Sequence, residues 1–183
     1  FKRSSERVAP HNSYISFANI EKGAKQKNYS MNNAPKKLLF LANNEIEAIE
    51  GDEISSISIH YGSNPTFNST FVYEKDIQKY IRISDGTQTV DEENNNPIAV
   101  DNVFIVEASH KVIDSKGRRS IDLASGGKAY LFQKGKWKEV TWENVNGRLL
   151  PFANGEQVGL VPGKTWINII PSNPGLNEDI SLK

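Results

Sequence analysis

Apolar and polar positions alternate in short runs through most of the chain, and turns containing Gly or Asn separate the runs. The most apolar run is 102–108, Asn102-Val103-Phe104-Ile105-Val106-Glu107-Ala108. It is too short for a free-standing helix and too apolar for a loop, so it predicts a central strand buried on both faces. Val103 and Ile105 should point one way, Phe104 and Val106 the other. Residues 54–61 set Ile57 and Ile59 between serines, the period-two pattern of a half-buried strand. Residues 70–73 and 79–83 are further strand candidates, the second running into the turn Ser84-Asp85-Gly86. Downstream, residues 111–117, Lys134-Gly135, Asn146-Gly147 and Asn154-Gly155 are spaced as hairpin connections, because Gly and Asn adopt the positive φ that tight hairpins need. Pro162-Gly163 turns the chain into a closing strand over 165–170.

The N-terminal stretch reads differently. Pro10-His11-Asn12-Ser13 is a turn and helix-start signal, with Asn12 or Ser13 as the cap. A helix over 14–26 follows, its apolar stripe made of Tyr14, Phe17, Ala18, Ile20 and Ala24. Residues 28–37 are polar, contain Pro35 and read as a linker. Residues 37–41 form a strand or a lead-in that docks on a sheet, and 43–52 are acidic and turn-like. The expected organisation is a helical remnant of a preceding domain with its linker over 1–35, a β-rich domain over 36–171, and a polar tail over 172–183. The expected fold class is mainly β, an antiparallel sandwich or partly open barrel.

Composition narrows the function classes. Lys plus Arg and Asp plus Glu both number 22, a formal net charge of +0, so no global field draws in a polyanion, and nucleic-acid binding is disfavoured. The chain has no Cys, which excludes thiol catalysis and thiolate metal sites. No apolar run approaches the roughly 20 residues that cross a bilayer as a helix. The N-terminus carries no apolar signal segment, and the expectation is the downstream part of a longer precursor.

Arg7-Val8-Ala9-Pro10-His11-Asn12 is followed in order by Tyr80-Ile81-Arg82, Asp91, Asn102-Val103, Gly126-Gly127, Gly135, Trp142, Gly147 and Pro162-Gly163-Lys164-Thr165-Trp166-Ile167. In this order and spacing the chain resembles the YerB-like bacterial lipoproteins, two-domain proteins of unknown function, over 7–171. The resemblance implies the end of the family's first domain and the whole of its second. It also implies an extracytoplasmic protein held to the membrane by a lipidated Cys that this chain does not contain. Family members are commonly encoded beside a DNA helicase and a ligase, which brings a helicase contact into consideration.

Candidate chemistry is sparse. His11, His60 and His110 are the only histidines, and Glu107 and His110 point to opposite faces of a strand, so no metal site is expected. Ser125-Gly126-Gly127 lacks the Gly-x-Ser-x-Gly elbow of a serine hydrolase, and the glycine pair reads as a bulge or turn where backbones approach closely. Pro162-Gly163-Lys164-Thr165 lacks the first Gly of a phosphate loop and leads into a strand. Neither catalytic residues nor a cofactor are assigned. The ligand candidates are His11, Asn12, Tyr80, Arg82, Trp137 and Trp142; Tyr130, Trp137, Trp142 and Trp166, with Tyr73 and Tyr80, are the rings that could line a sugar-stacking groove, because their faces pack on apolar sugar faces. The bland alternative puts Trp142 and Trp166 in the core or on its rim, and gives His11 and Asn12 a structural job at the helix start.

Three readings follow. The favoured one is a non-enzymatic cell-envelope lipoprotein domain that binds a protein or cell-wall glycan. The second is an envelope-polymer hydrolase with a site near His11, and the third is an adaptor for a DNA helicase.

Overall fold

Gly and Asn at the breaks between apolar runs give this chain its hairpins. Asp85-Gly86, Lys134-Gly135, Asn146-Gly147 and Asn154-Gly155 each place two successive residues at positive φ, the turn whose twist matches that of paired strands. The computed structural model describes residues 2–9, 12–32 and 34–183. The chain divides into two compact units, 1–37 and 38–183.

In the first unit, β1 (Lys2–Arg3) pairs antiparallel with β2 (Ser13–Tyr14), and α1 (Phe17–Gln26) follows. The helix begins later than its apolar pattern predicts. Ser16 is its N-cap, the side chain accepting from the Asn19 amide, while Ser13 and Tyr14 are extended. Asn12 is therefore not the cap. Its Oδ1 accepts from Arg3 Nη1 at 2.8 Å and its Nδ2 donates to the Ser4 carbonyl, which ties the two short strands together. His11 lies outside the described residues. Phe17, Ile20 and Tyr14 on the apolar stripe are exposed, and Ala24 is buried.

The second unit is a sandwich of two sheets. The larger carries β3 (Asp52–Glu53), β9 (Asn102–Ala108), β12 (Gly127–Gln133), β13 (Lys136–Val145), β14 (Arg148–Ala153), β15 (Glu156–Gln157) and β16 (Thr165–Pro171). Its order is β15-β14-β13-β12-β9-β16, with β3 beside β13. The smaller sheet holds β4 (Ser56–Ile59), β5 (Ser69–Glu74), β6 (Lys79–Ser84), β7 (Thr87–Gln88), β8 (Ala99–Val100) and β17 (Ile180–Leu182), ordered β17-β4-β5-β6-β7 with β8 on β6. A separate hairpin joins β10 (His110–Val112) to β11 (Arg119–Ile121). Among the numbered strands pairing is antiparallel except that β16 runs parallel to β9, because the chain reaches β16 by a long return and not by a hairpin; the isolated Phe40–Leu160 bridge is parallel as well. Neither sheet closes into a barrel.

Period-two alternation sorts the side chains as predicted. Val103 and Ile105 join Ile57, Ile59, Phe71, Tyr80, Tyr130 and Phe132 in the core between the sheets. Phe104 and Val106 pack on the other face of the larger sheet with Leu131, Val140, Trp142 and Leu160. Residues 38–41 dock along the edge near Leu160 by reciprocal backbone bonds, Leu41 N–H to the Leu160 carbonyl and Leu160 N–H to the Leu39 carbonyl.

Two segments depart from the sequence reading. The acidic 43–52 stretch opens with α2 (Asn43–Glu47), whose Glu45 carboxylate accepts from the Ala42 amide and completes the first turn. The expected polar tail is structural. After Pro171 the chain forms α3 (Leu176–Asp179) and then β17, which pairs with β4 and buries Leu176 and Ile180 in the shared core. Its polar residues masked two apolar anchors spaced one helical turn apart.

Candidate functional site

Toward the Gly127 end of β12, the core-facing side of the larger sheet turns polar. Cross-strand neighbours share a face, so the pairs Tyr130 with Glu139 and Lys128 with Thr141, together with Phe152 opposite Thr141, form one surface. Glu107, two residues beyond Ile105, lies on it as well. Leu176 and Asn177 of α3 close one side, leaving a cleft of about 530 Å³. Small-molecule and sugar sites fall in this size range.

Hydrogen bonds fix its floor. The Tyr130 hydroxyl donates to Asn177 Oδ1 at 2.9 Å, and Glu107 Oε2 accepts from the Leu176 amide at 3.1 Å. Burial raises the Tyr130 pKa, and the Glu139 and Glu107 carboxylates raise it further. Asp179, the last residue of α3, is buried with Oδ2 unpartnered, and its pKa is raised by burial. The cleft thus presents the Glu107 and Glu139 carboxylates, the Asn154 and Asn177 amides, the hydroxyls of Tyr130, Thr141 and Ser172 and one ammonium, that of Lys128, around the apolar surfaces of Phe152 and Leu176. Such a lining accepts from hydroxyl groups and packs against the apolar face of a ring.

Away from the cleft, Ser181 Oγ lies 3.3 Å from His60 Nε2. Asn68 Oδ1 accepts from the Tyr61 amide, which turns Asn68 Nδ2 toward His60 Nδ1 at 3.2 Å. His60 Nδ1 must therefore accept, so Nε2 carries the proton and faces Ser181 as a donor, the wrong tautomer for a base. Among the described residues no three His, Asp or Glu side chains converge as a metal site. His110 sits in the β10–β11 hairpin, where burial and Arg119 lower its pKa.

Of the rings that the sequence put forward for a sugar-stacking groove, Tyr130 lines this cleft, while Tyr80, Arg82, Trp137 and Trp142 are not among its lining residues. Tyr80 is 0% exposed, its hydroxyl accepting from the Gly135 amide at 3.0 Å, and burial raises its pKa strongly. Trp142 is 0% exposed and donates to the Glu107 carbonyl at 2.8 Å. Both rings are enclosed and have no face free to stack on a sugar. Trp137 is half-buried, stacked on Phe132 with ring centres 6.1 Å apart and edge-on to Tyr130 at 4.9 Å. Arg82 lies on the inner side of the smaller sheet, its Cζ 4.7 Å above the Trp166 ring. Asn12 belongs to the first unit and His11 lies outside the described residues. Glu107, Lys128, Glu139 and Asn177 were missed, since a lone acid on a strand and an amide in a polar segment carry no motif. Gly127 was the available signal. A Cβ there would stand 2.8 Å from both the Glu107 carbonyl and Trp142 Nε1, the close backbone approach expected of the glycine pair.

Comparison with known proteins agrees with this architecture. Residues 57–167 match the family described as "Protein of unknown function (DUF3048) C-terminal domain". The chain is 45% identical over 172 residues to the Bacillus subtilis (strain 168) protein named "Putative lipoprotein YerB", covering 93% of this chain and 51% of that protein. The crystal structure of the YerB protein from Bacillus subtilis superposes with a TM-score of 0.83 at 42% identity, over 100% of this chain and 59% of that one. The chain therefore spans about half the length of the curated relative it matches.

Proposed function

The chain belongs to the DUF3048 family through its C-terminal domain, and from that membership we propose that it is the ligand-binding part of an extracytoplasmic lipoprotein whose cleft holds a cell-wall glycan. The relative's name supports the lipoprotein part of this reading. Among the described residues no helix is long and apolar enough to cross a membrane; the lipid anchor is part of the proposal and rests on the relative's name. The observation that carries the glycan reading is the cleft itself, where Glu139, Glu107 and Asn177 stand around Tyr130 beside Phe152. Carboxylate and amide oxygens accept from sugar hydroxyls, whereas a protein partner would be better served by a flat apolar patch.

We read the cleft as a binding site; the two carboxylates that line it, Glu107 and Glu139, make turnover the competing outcome of the test. Calorimetric titration with soluble N-acetylglucosamine–N-acetylmuramic acid oligosaccharides tests the proposal. Binding with a Kd of roughly 0.1–1 mM is expected. Glu139→Gln and Asn177→Ala should each weaken it about tenfold, a loss of about 1.4 kcal/mol. Absence of heat with every oligosaccharide, or affinity unchanged in both variants, would contradict the assignment and favour a protein partner.

A further inference from the structure

We propose that the free edge of β16 is a pairing surface for a second copy of this chain, joining the larger sheets of two molecules through antiparallel contact of β16 with itself. β16 is the outermost strand of its sheet, with β9 on one side and, among the described residues, no strand on the other. The bonds at its two ends show which of its backbone groups are spare. The Lys164 carbonyl accepts from the Asn102 amide at 3.1 Å, and the Ser172 amide donates to the Ala108 carbonyl at 2.8 Å. In a parallel ladder, residues that bond to the neighbouring strand alternate with residues whose N–H and C=O both point the other way. Trp166, Asn168 and Ile170 therefore serve β9, while Thr165, Ile167 and Ile169 present their amides and carbonyls outward. Among the described residues no backbone group bonds to these. All three residues keep part of their surface in water, and Ile167 is 42% exposed. Pro171 falls in the outward series too, where its missing N–H costs no bond to β9.

Folded proteins ordinarily protect an edge of this kind with short strands, charges or bulges. The marginal strands β7, β15 and β17 are two or three residues long. β16 runs for seven residues with no charge from Thr165 to Pro171, and its unbroken register with β9 leaves no bulge to twist the edge away. The strand's own sequence favours a second copy as the occupant. In an antiparallel pair centred on Ile167, Ile167 meets its counterpart and Thr165 meets Ile169 of the second copy. Every outward amide then finds an outward carbonyl, and Pro171 stays outside the ladder. The exposed Ile167 side chains cover each other across the two-fold axis. Lys164 comes opposite Ile170, so no like charges are opposed. Such an interface is self-complementary and closes at two molecules, and a formal net charge of +0 adds no long-range repulsion between them. The pairing does not depend on the glycan reading of the cleft.

The test is sedimentation velocity of the 183-residue chain from ~1 to ~500 µM, with hydrogen exchange of the Thr165, Ile167 and Ile169 amides followed at both ends of that range. A monomer–dimer equilibrium with a Kd of roughly 10–100 µM is expected. At the high concentration these amides should exchange roughly tenfold more slowly than at the low one. Ile167→Pro removes an outward N–H and no bond to β9, so it should raise Kd by about tenfold or more while the fold is kept. If that variant does not fold, Ile167→Lys, which sets two ammonium groups face to face from an exposed position, is expected to have the same effect. A chain that stays monomeric at ~500 µM overturns the proposal and leaves the edge to a different partner. A dimer that the folded variants leave intact, or one in which exchange of these amides does not slow, overturns it as well, since another surface would then hold the two copies.

Discussion

Asn102 begins the most apolar strand of the chain and is itself 0% exposed. Its Oδ1 accepts from the Val161 amide and from Gln133 Nε2, each at 2.9 Å, while Nδ2 donates to the Val161 carbonyl at 2.9 Å. A buried amide satisfied in this way fixes register, because moving it by one residue would strand several polar groups. Asp179 is the contrasting case. The Gly175 amide and His60 favour its charged form, but burial outweighs them, and Glu178 and Glu107 add to its effect. The folded-state pKa therefore lies above the ordinary value of 3.8. Protons bind the folded chain more tightly, so this carboxyl favours folding most below its unfolded pKa, and that advantage is lost as pH rises to the raised value. Asp179→Asn is expected to raise Tm at pH 7, with the gain vanishing near pH 3. An unchanged Tm at pH 7 would show that the carboxylate is not held at a cost. Neither role was legible in the sequence, where Asn102 is a flank of an apolar run and Asp179 one of many exposed-looking acids.

The strands were legible wherever apolar residues recur at period two and a Gly or Asn turn follows. The two-faced packing of β9 is visible in four letters, Val103-Phe104-Ile105-Val106. Parallel pairing of β9 with β16 was not, since nothing local distinguishes a strand that pairs across 62 residues of sequence from one that closes a hairpin. The start of α1 was misplaced for a similar reason. Several short polar residues before it can cap, and the pairing of Ser13 and Tyr14 with the N-terminal strand selects Ser16. The C-terminal segment shows the same limit, as its burial depends on the far surface of β4. Ending the chain at Pro171 should cost about 3–6 kcal/mol, the burial of Leu176 and Ile180, besides uncovering the β4 edge. Guanidinium unfolding measures this, and stability within about 1 kcal/mol of the intact chain would show that α3 and β17 are dispensable.

At the scale of the whole molecule, the sandwich leaves part of one sheet face uncovered, and that uncovered part becomes the polar cleft. Position in the fold, more than residue type, selects the candidate site: the buried Tyr80 and Trp142 hold the core, and strand residues that carry no motif line the opening around Tyr130. The account's central claim is that this opening binds glycan without turning it over. Amide NMR of the chain mixed with an N-acetylglucosamine–N-acetylmuramic acid tetrasaccharide, with the sugar signals followed in the same samples for a day, tests it most directly. The account predicts saturable shifts concentrated at Lys128, Tyr130, Glu139, Asn154 and Asn177, with the sugar signals unaltered. Shifts located elsewhere, or new reducing-end signals appearing with time and with protein concentration, would contradict it.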